Sequence, residues 1–182
     1  MNSAEKGILL DIARNSIKSA IQGTPIDATQ FQGNTQKSKT GHGVFVTLRT
    51  NGKLRGCIGR LVSHKPLRKL VSEMAVSAVS EDTRFENNRI KISELNDLKI
   101  EISVLSPLKT LENPLELELG RHGVYIKRGS KSGCFLPQVA SETGWSKEEF
   151  LSKCCYTKAG LPPDAWKDEG TEVYIFTVET IS

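Results

Sequence analysis

Apolar residues recur at helical spacing near the start of the chain: Ile8, Leu9, Ile12, Ile17, Ala20 and Ile21. That period predicts an amphipathic helix over residues 3–21, ended by Gly23, Thr24 and Pro25. Ser3 with Lys6 does not complete a capping box, so the first residue of the helix stays open. A polar stretch over 23–42, rich in Gln, Thr, Gly and Lys, reads as a surface loop, either functional or wrapping. The period then shortens. Val44 to Leu48 predicts a strand, Thr50, Asn51 and Gly52 a hairpin turn, and Leu54 to Gly59 the return strand. Pro66 opens a second helix with Leu67, Leu70, Val71, Met74, Ala75, Ala78 and Val79 on one face. Residues 98–105 predict another strand, with Glu101 and Ser103 turned away from Ile100, Ile102 and Val104.

The second half repeats this order. His122, Gly123 and Val124 open a strand, Gly129 to Ser132 turn the chain, and Gly133 to Leu136 return it. Helices are expected around 137–143 and 146–157, the latter capped by Ser146 with Glu149. A final strand holds Val173, Ile175, Thr177 and Val178. His42-Gly43-Val44-Phe45-Val46 matches His122-Gly123-Val124-Tyr125-Ile126, and Gly56-Cys57-Ile58 matches Gly133-Cys134-Phe135. An internal duplication of a β-β-α-β unit, residues 42–106 and 122–179, is the expectation; chance similarity between short hairpins is the alternative. The fold class is α+β, one domain over residues 1–182 with two subdomains built on antiparallel sheets.

Composition adds bounds. A chain of 182 residues with 37% apolar and 25% charged residues can bury a sizeable core. Its net charge of +4 is spread along the chain, which disfavours a nucleic-acid surface. No apolar run approaches the roughly 20 residues of a membrane helix, and no signal peptide is visible. Cys57, Cys134, Cys154 and Cys155 contain no C-x-x-C spacing, which argues against zinc or a disulfide framework. A reducing cytoplasm is the expected location, with no cofactor.

Candidate chemistry centres on Leu54-Arg55-Gly56-Cys57-Ile58-Gly59. Residues i and i+2 of a strand share a face, so Arg55 and Cys57 are expected to project together. A guanidinium beside a thiol favours the thiolate, and flanking glycines leave room for close approach. Cys57 also reads as a small buried apolar residue, and Arg55 as a salt-bridge partner. A catalytic pair with His42, His64 or His122 is open, because spacing does not choose among them. The charges on the 66–80 helix are inverted against its dipole: Lys65, Arg68 and Lys69 at the start, Glu81 and Asp82 at the end. An anion at the start, or Arg84 bridging the acids at the end, would compensate. Trp145 and Trp166 read as core or subdomain-junction residues.

The hexapeptide at 54–59 is similar to the signature of the AMMECR domain family. So are Gly43 to Leu48, Asp82-Thr83-Arg84-Phe85, Glu101 to Ser106, Leu136-Pro137-Gln138-Val139 with Gly144-Trp145, and Cys155 with Lys158-Ala159-Gly160-Leu161 and Trp166. The resemblance implies an α+β fold of two subdomains whose hexapeptide lines a cleft, with Leu54, Gly56, Ile58, Gly59, Arg84 and Phe85 as cleft residues. It also implies an association with the AmmeMemoRadiSam system, beside a Memo-like protein and a radical SAM enzyme. Two functions follow from these expectations. One is a partner or substrate protein that takes a protein or small-molecule ligand in the cleft. The other is an enzyme with Cys57 as nucleophile or redox thiol and Arg55 binding a substrate anion.

Overall fold

The first helix, α1 (Ser3–Gln22), starts one residue earlier than Ser3 suggested as a cap. The Asn2 side chain accepts the Glu5 N–H, and the Glu5 carboxylate accepts the Asn2 N–H. This reciprocal pair satisfies two otherwise unbonded donors. Gly23, in the left-handed region, closes the far end. The computed structural model describes residues 1–32 and 41–182, so residues 33–40 of the polar stretch read as a loop lie outside the described residues.

Strands β1 (His42–Thr50) and β2 (Lys53–Ser63) form the expected hairpin, longer at both ends than the apolar runs suggested. Helix α2 (Leu67–Ser80) follows Pro66, and β3 (Leu98–Leu105) pairs antiparallel with the other side of β1. Val44, Val46 and Leu48 face the helices with Ile100 and Ile102, in one core with Leu9, Ile12, Leu70 and Val71. Alternation puts Phe45, Thr47 and Arg49 on the opposite face. Their partners there are Gly59, Cys57 and Leu54 on β2, and Ser103, Glu101 and Lys99 on β3. Between α1 and α2 the buried Ser16 and Ser72 hydroxyls bond to each other at 2.7 Å.

The second sheet holds β4 (Lys109–Thr110), β5 (Gly123–Arg128), β6 (Lys131–Phe135) and β7 (Glu172–Phe176), in the order β4-β7-β5-β6. Its core joins Val124, Ile126 and Phe135 to α3 (Pro137–Thr143) and α4 (Lys147–Cys154). The expected Ser146–Glu149 capping box opens α4. A π-helical turn, Cys155–Ala159, replaces the last turn of the helix read to 157. Trp166 is buried in this core, and Trp145 packs against it.

The expected final strand divides in two. β7 ends at Phe176, and β8 (Val178–Ile181) joins the first sheet, whose order is β2-β1-β3-β8. The chain therefore forms two units: Met1–Leu105 with Glu179–Ser182, and Ser106–Val178. In both sheets a hairpin takes its third strand on the first strand's open side, β2-β1-β3 and β6-β5-β7. The two sequence matches, however, are out of step. Cys57 faces Thr47, whereas Cys134 faces Tyr125, the counterpart of Phe45, whose own partner is Gly59. Equating both the strand starts and the cysteines thus needs a two-residue slip.

Candidate functional site

β2 is an edge strand, so alternate N–H and C=O groups point away from β1 with no neighbouring strand to bond them. At Cys57 these two groups are taken by side chains. Asp82 Oδ2 accepts the Cys57 N–H at 2.8 Å, and Arg84 Nη2 donates to the Cys57 carbonyl at 3.1 Å. Asp82 follows α2 and caps a short 3-10 segment, Thr83–Asn88, by accepting the Arg84 N–H. Arg84 bonds the same carboxylate twice, Nε to Oδ1 at 2.9 Å and Nη2 to Oδ2 at 2.7 Å. One carboxylate and one guanidinium thereby satisfy the two groups a neighbouring strand would satisfy.

The electrostatics follow from this geometry. Asp82 is 3% exposed, and burial alone would raise its carboxyl. The Arg84 hydrogen bonds outweigh burial and hold it at about 2. Arg84, with a 58% exposed side chain, is raised in turn, first by Asp82 and to a smaller degree by the neighbouring Cys57. This is the bridge that the inverted charges suggested, made to Asp82 of the two acids at the helix end. At the other end, Lys65 pairs with Glu73 at 2.7 Å and Arg68 donates to the Gln32 carbonyl.

The outward-pointing amide makes Cys57 and Thr47 a non-hydrogen-bonded pair, the arrangement that brings facing side chains closest. The Thr47 hydroxyl lies 3.3 Å from Cys57 Sγ. Gly56 is required on the opposite face, because a Cβ there would lie 2.2 Å from the Ala78 carbonyl oxygen of α2. At Gly59 a Cβ would meet the Phe45 ring at the same distance. Ile58 packs on the first core. Leu54 and Phe85 are half-buried, the latter 5.6 Å beneath the Arg84 guanidinium.

Arg55 stands apart from this arrangement. Leu48 faces Gly56 while Arg49 faces Leu54, so Arg55 is the extra residue of a β-bulge, which re-aims its side chain. Its guanidinium bonds Glu94 through Nη1 and, at 3.4 Å, through Nη2, which also meets the Asn88 carbonyl at 3.3 Å. Arg55 is 11% exposed, and it holds the Glu94 carboxyl below the usual range. The guanidinium bonded to the cysteine residue is that of Arg84. The Asp82-Thr83-Arg84-Phe85 segment was visible in the sequence, but its role depends on β2 lying at a sheet edge. Glu94 carried no signal of its own.

His42 lies opposite Ser63, at the open end of the hairpin and far along the ladder from Cys57. His122 belongs to the second unit, where Nδ1 accepts the Glu118 N–H at 3.1 Å. Burial pushes the Cys134, Cys154 and Cys155 thiols up. Among the described residues, no group of three or more His, Cys, Asp or Glu could hold a metal ion, and no helix is long and apolar enough to cross a membrane.

Comparison with known proteins agrees with this architecture. A Methanopyrus kandleri protein is 47% identical over 153 residues, covering 80% of this chain and 73% of that one. A Pyrococcus furiosus protein is 44% identical over 147 residues, covering 75% and 69%. The crystal structure of an uncharacterized Pyrococcus horikoshii protein superposes with a TM-score of 0.81 at 38% identity, over 94% of this chain and 88% of that one. The AMMECR1 family profile matches residues 10–181, taking in the hexapeptide strand, its Asp82–Arg84 clamp and both sheets. The chain belongs to the AMMECR1 family.

Proposed function

We propose that the protein acts by recognition: it presents the Leu54–Gly59 strand, with Thr47 and Cys57 on its outer face, as a fixed surface for a partner. In this reading it is the partner or substrate component of a radical-SAM-linked modification system, the role that the AmmeMemoRadiSam association implies. The observation that carries the reading is that the charges around the motif are committed to the protein itself. Arg55 is bonded to Glu94, and Asp82 and Arg84 are bonded to each other and to the Cys57 peptide. Such an arrangement fixes backbone shape, which suits a surface that must be read. A nucleophile paired with a base needs instead an imidazole or carboxylate within reach of sulfur, and the side chain at Sγ is the Thr47 hydroxyl.

The second reading, Cys57 as a catalytic thiol, has one observation in its favour: the exposed Arg84 guanidinium sits at Cys57, donating to its carbonyl at 3.1 Å. Intact-mass spectra after co-expression with a radical SAM enzyme and a Memo-like protein separate the two. A discrete added mass, mapped by peptide sequencing to the β1–β2 face, is the expected result. An unmodified chain that turns over a metabolite, and stops doing so as Cys57→Ala, would replace recognition with catalysis.

A further inference from the structure

On the face of the first sheet opposite α1 and α2, Arg49 of β1 sits directly across from Lys99 of β3. Both residues are exposed. Both strands are interior to the sheet, so pairing on either side fixes the register that brings the two cations together. Like charges at directly opposed positions destabilise a sheet. Four cations of this unit are matched with acids, Lys6 with Glu179, Arg55 with Glu94, Lys65 with Glu73 and Arg84 with Asp82, and none of those pairs reaches Arg49 or Lys99. Arg49 and Lys99 form no ion pair with any described residue, and Arg49 makes one long bond, 3.5 Å from Nη1 to the Gly52 carbonyl.

The surroundings connect this pair to the motif. Glu101, Thr47 and Cys57 form the next row on the same face, two residues further along each interior strand, about 7 Å away. Arg55, the cation the sequence offered for a substrate anion, is occupied by Glu94, while Arg49 and Lys99 are unpaired and share the Cys57 face.

We infer that Arg49 and Lys99 form the anion-binding part of the recognition surface and bridge a phosphate-type dianion. The guanidinium supplies a bidentate fork and the ammonium a point charge. Two cations on facing strands match two negative charges, and the remainder of a phosphate monoester would extend along the sheet toward Thr47 and Cys57. The inference rests on the recognition reading and names its class of ligand.

The test is a titration of the isotope-labelled full chain with inorganic phosphate, with methyl phosphate and with acetate, at constant ionic strength and pH 8. That pH lies well above the second pKa of about 6 of a phosphate monoester and keeps inorganic phosphate mainly dianionic. Saturable amide shifts at residues 49–52 and 98–100 are expected with both phosphates and not with acetate. Binding of inorganic phosphate without methyl phosphate would narrow the site to the free ion, and still supports the dianion. Arg49→Gln and Lys99→Gln should each weaken binding about tenfold, while Arg49→Lys keeps part of it. Thermal midpoints that hold or rise in these variants would show that the sheet is intact. Shifts that do not saturate, that acetate reproduces, or that survive both Gln substitutions would overturn the inference. The titration uses the isolated protein, so its failure is distinct from failure of the co-expression mass test.

Discussion

Asp82→Asn keeps the shape of the clamp and removes its charge, which isolates what the carboxylate contributes. In the native protein it accepts the Cys57 and Arg84 amides at 2.8 and 3.2 Å and the Arg84 guanidinium at 2.9 and 2.7 Å. Its carboxyl sits at about 2 against an ordinary 3.8. That gap corresponds to about 2.4 kcal/mol of folded-state preference for the charged form. The Asn amide cannot accept from both sides, so one donor loses its partner, and a total cost of about 2–4 kcal/mol is expected. The carboxyl is depressed in the folded state, so its contribution is complete above about pH 4 and disappears as pH falls toward 2. The gap between wild type and variant should close over that interval. Both tryptophans and all three tyrosines lie in residues 106–178, so their fluorescence would follow the second unit. Amide exchange suits the first unit: Val46 and Leu48 report its stability, and the Cys57 N–H reports the clamp. Unchanged exchange at Cys57, with a stability change below about 0.5 kcal/mol at pH 7, would refute the reasoning.

Three other outcomes follow from contacts in both units. Gly56→Ala places a Cβ against the Ala78 carbonyl and should lower stability by about 1–3 kcal/mol, read as loss of amide protection across β1 and α2. Ser16→Ala leaves the buried Ser72 hydroxyl without its partner and should cost about 1–2 kcal/mol. Adding Ser72→Ala should restore part of that loss in a double-mutant cycle, and strict additivity would contradict the pairing. Iodoacetamide should label Cys57 before Cys134, Cys154 and Cys155, whose thiols burial pushes up. Peptide mapping that finds Cys154 labelled first would sink the assignment of the second core.

Elements whose signals are local were legible in the sequence. β3 occupies residues 98–105 as its alternation suggests, and α3 occupies 137–143, opened by Pro137 and closed by Gly144. The α4 cap was legible as Ser-x-x-Glu. Features set by partners distant in the chain were not. The bulge at Arg55 arises from how β2 registers on β1, and it undoes the simple i, i+2 argument that joined Arg55 to Cys57. The break at Thr177 between β7 and β8 leaves little trace in an apolar run that continues across it, because the two strands join different sheets. For the site, residue identities were visible but pairings were not. Arg84 meets Cys57 because Cys57 lies at a sheet edge, a property of strand order.

The return of residues 178–181 to the first sheet sets an order of events during synthesis. Everything else in that sheet is translated by Leu105, yet β3 keeps an uncovered flank, and Ile181 is missing from the core, while the 73 residues of the second unit are made. A nascent chain paused anywhere in that interval would carry a hydrogen-bonding strand edge open to other nascent chains. Synthesis of residues 178–181, rather than completion of the amino-terminal half, is therefore the step that seals the first unit.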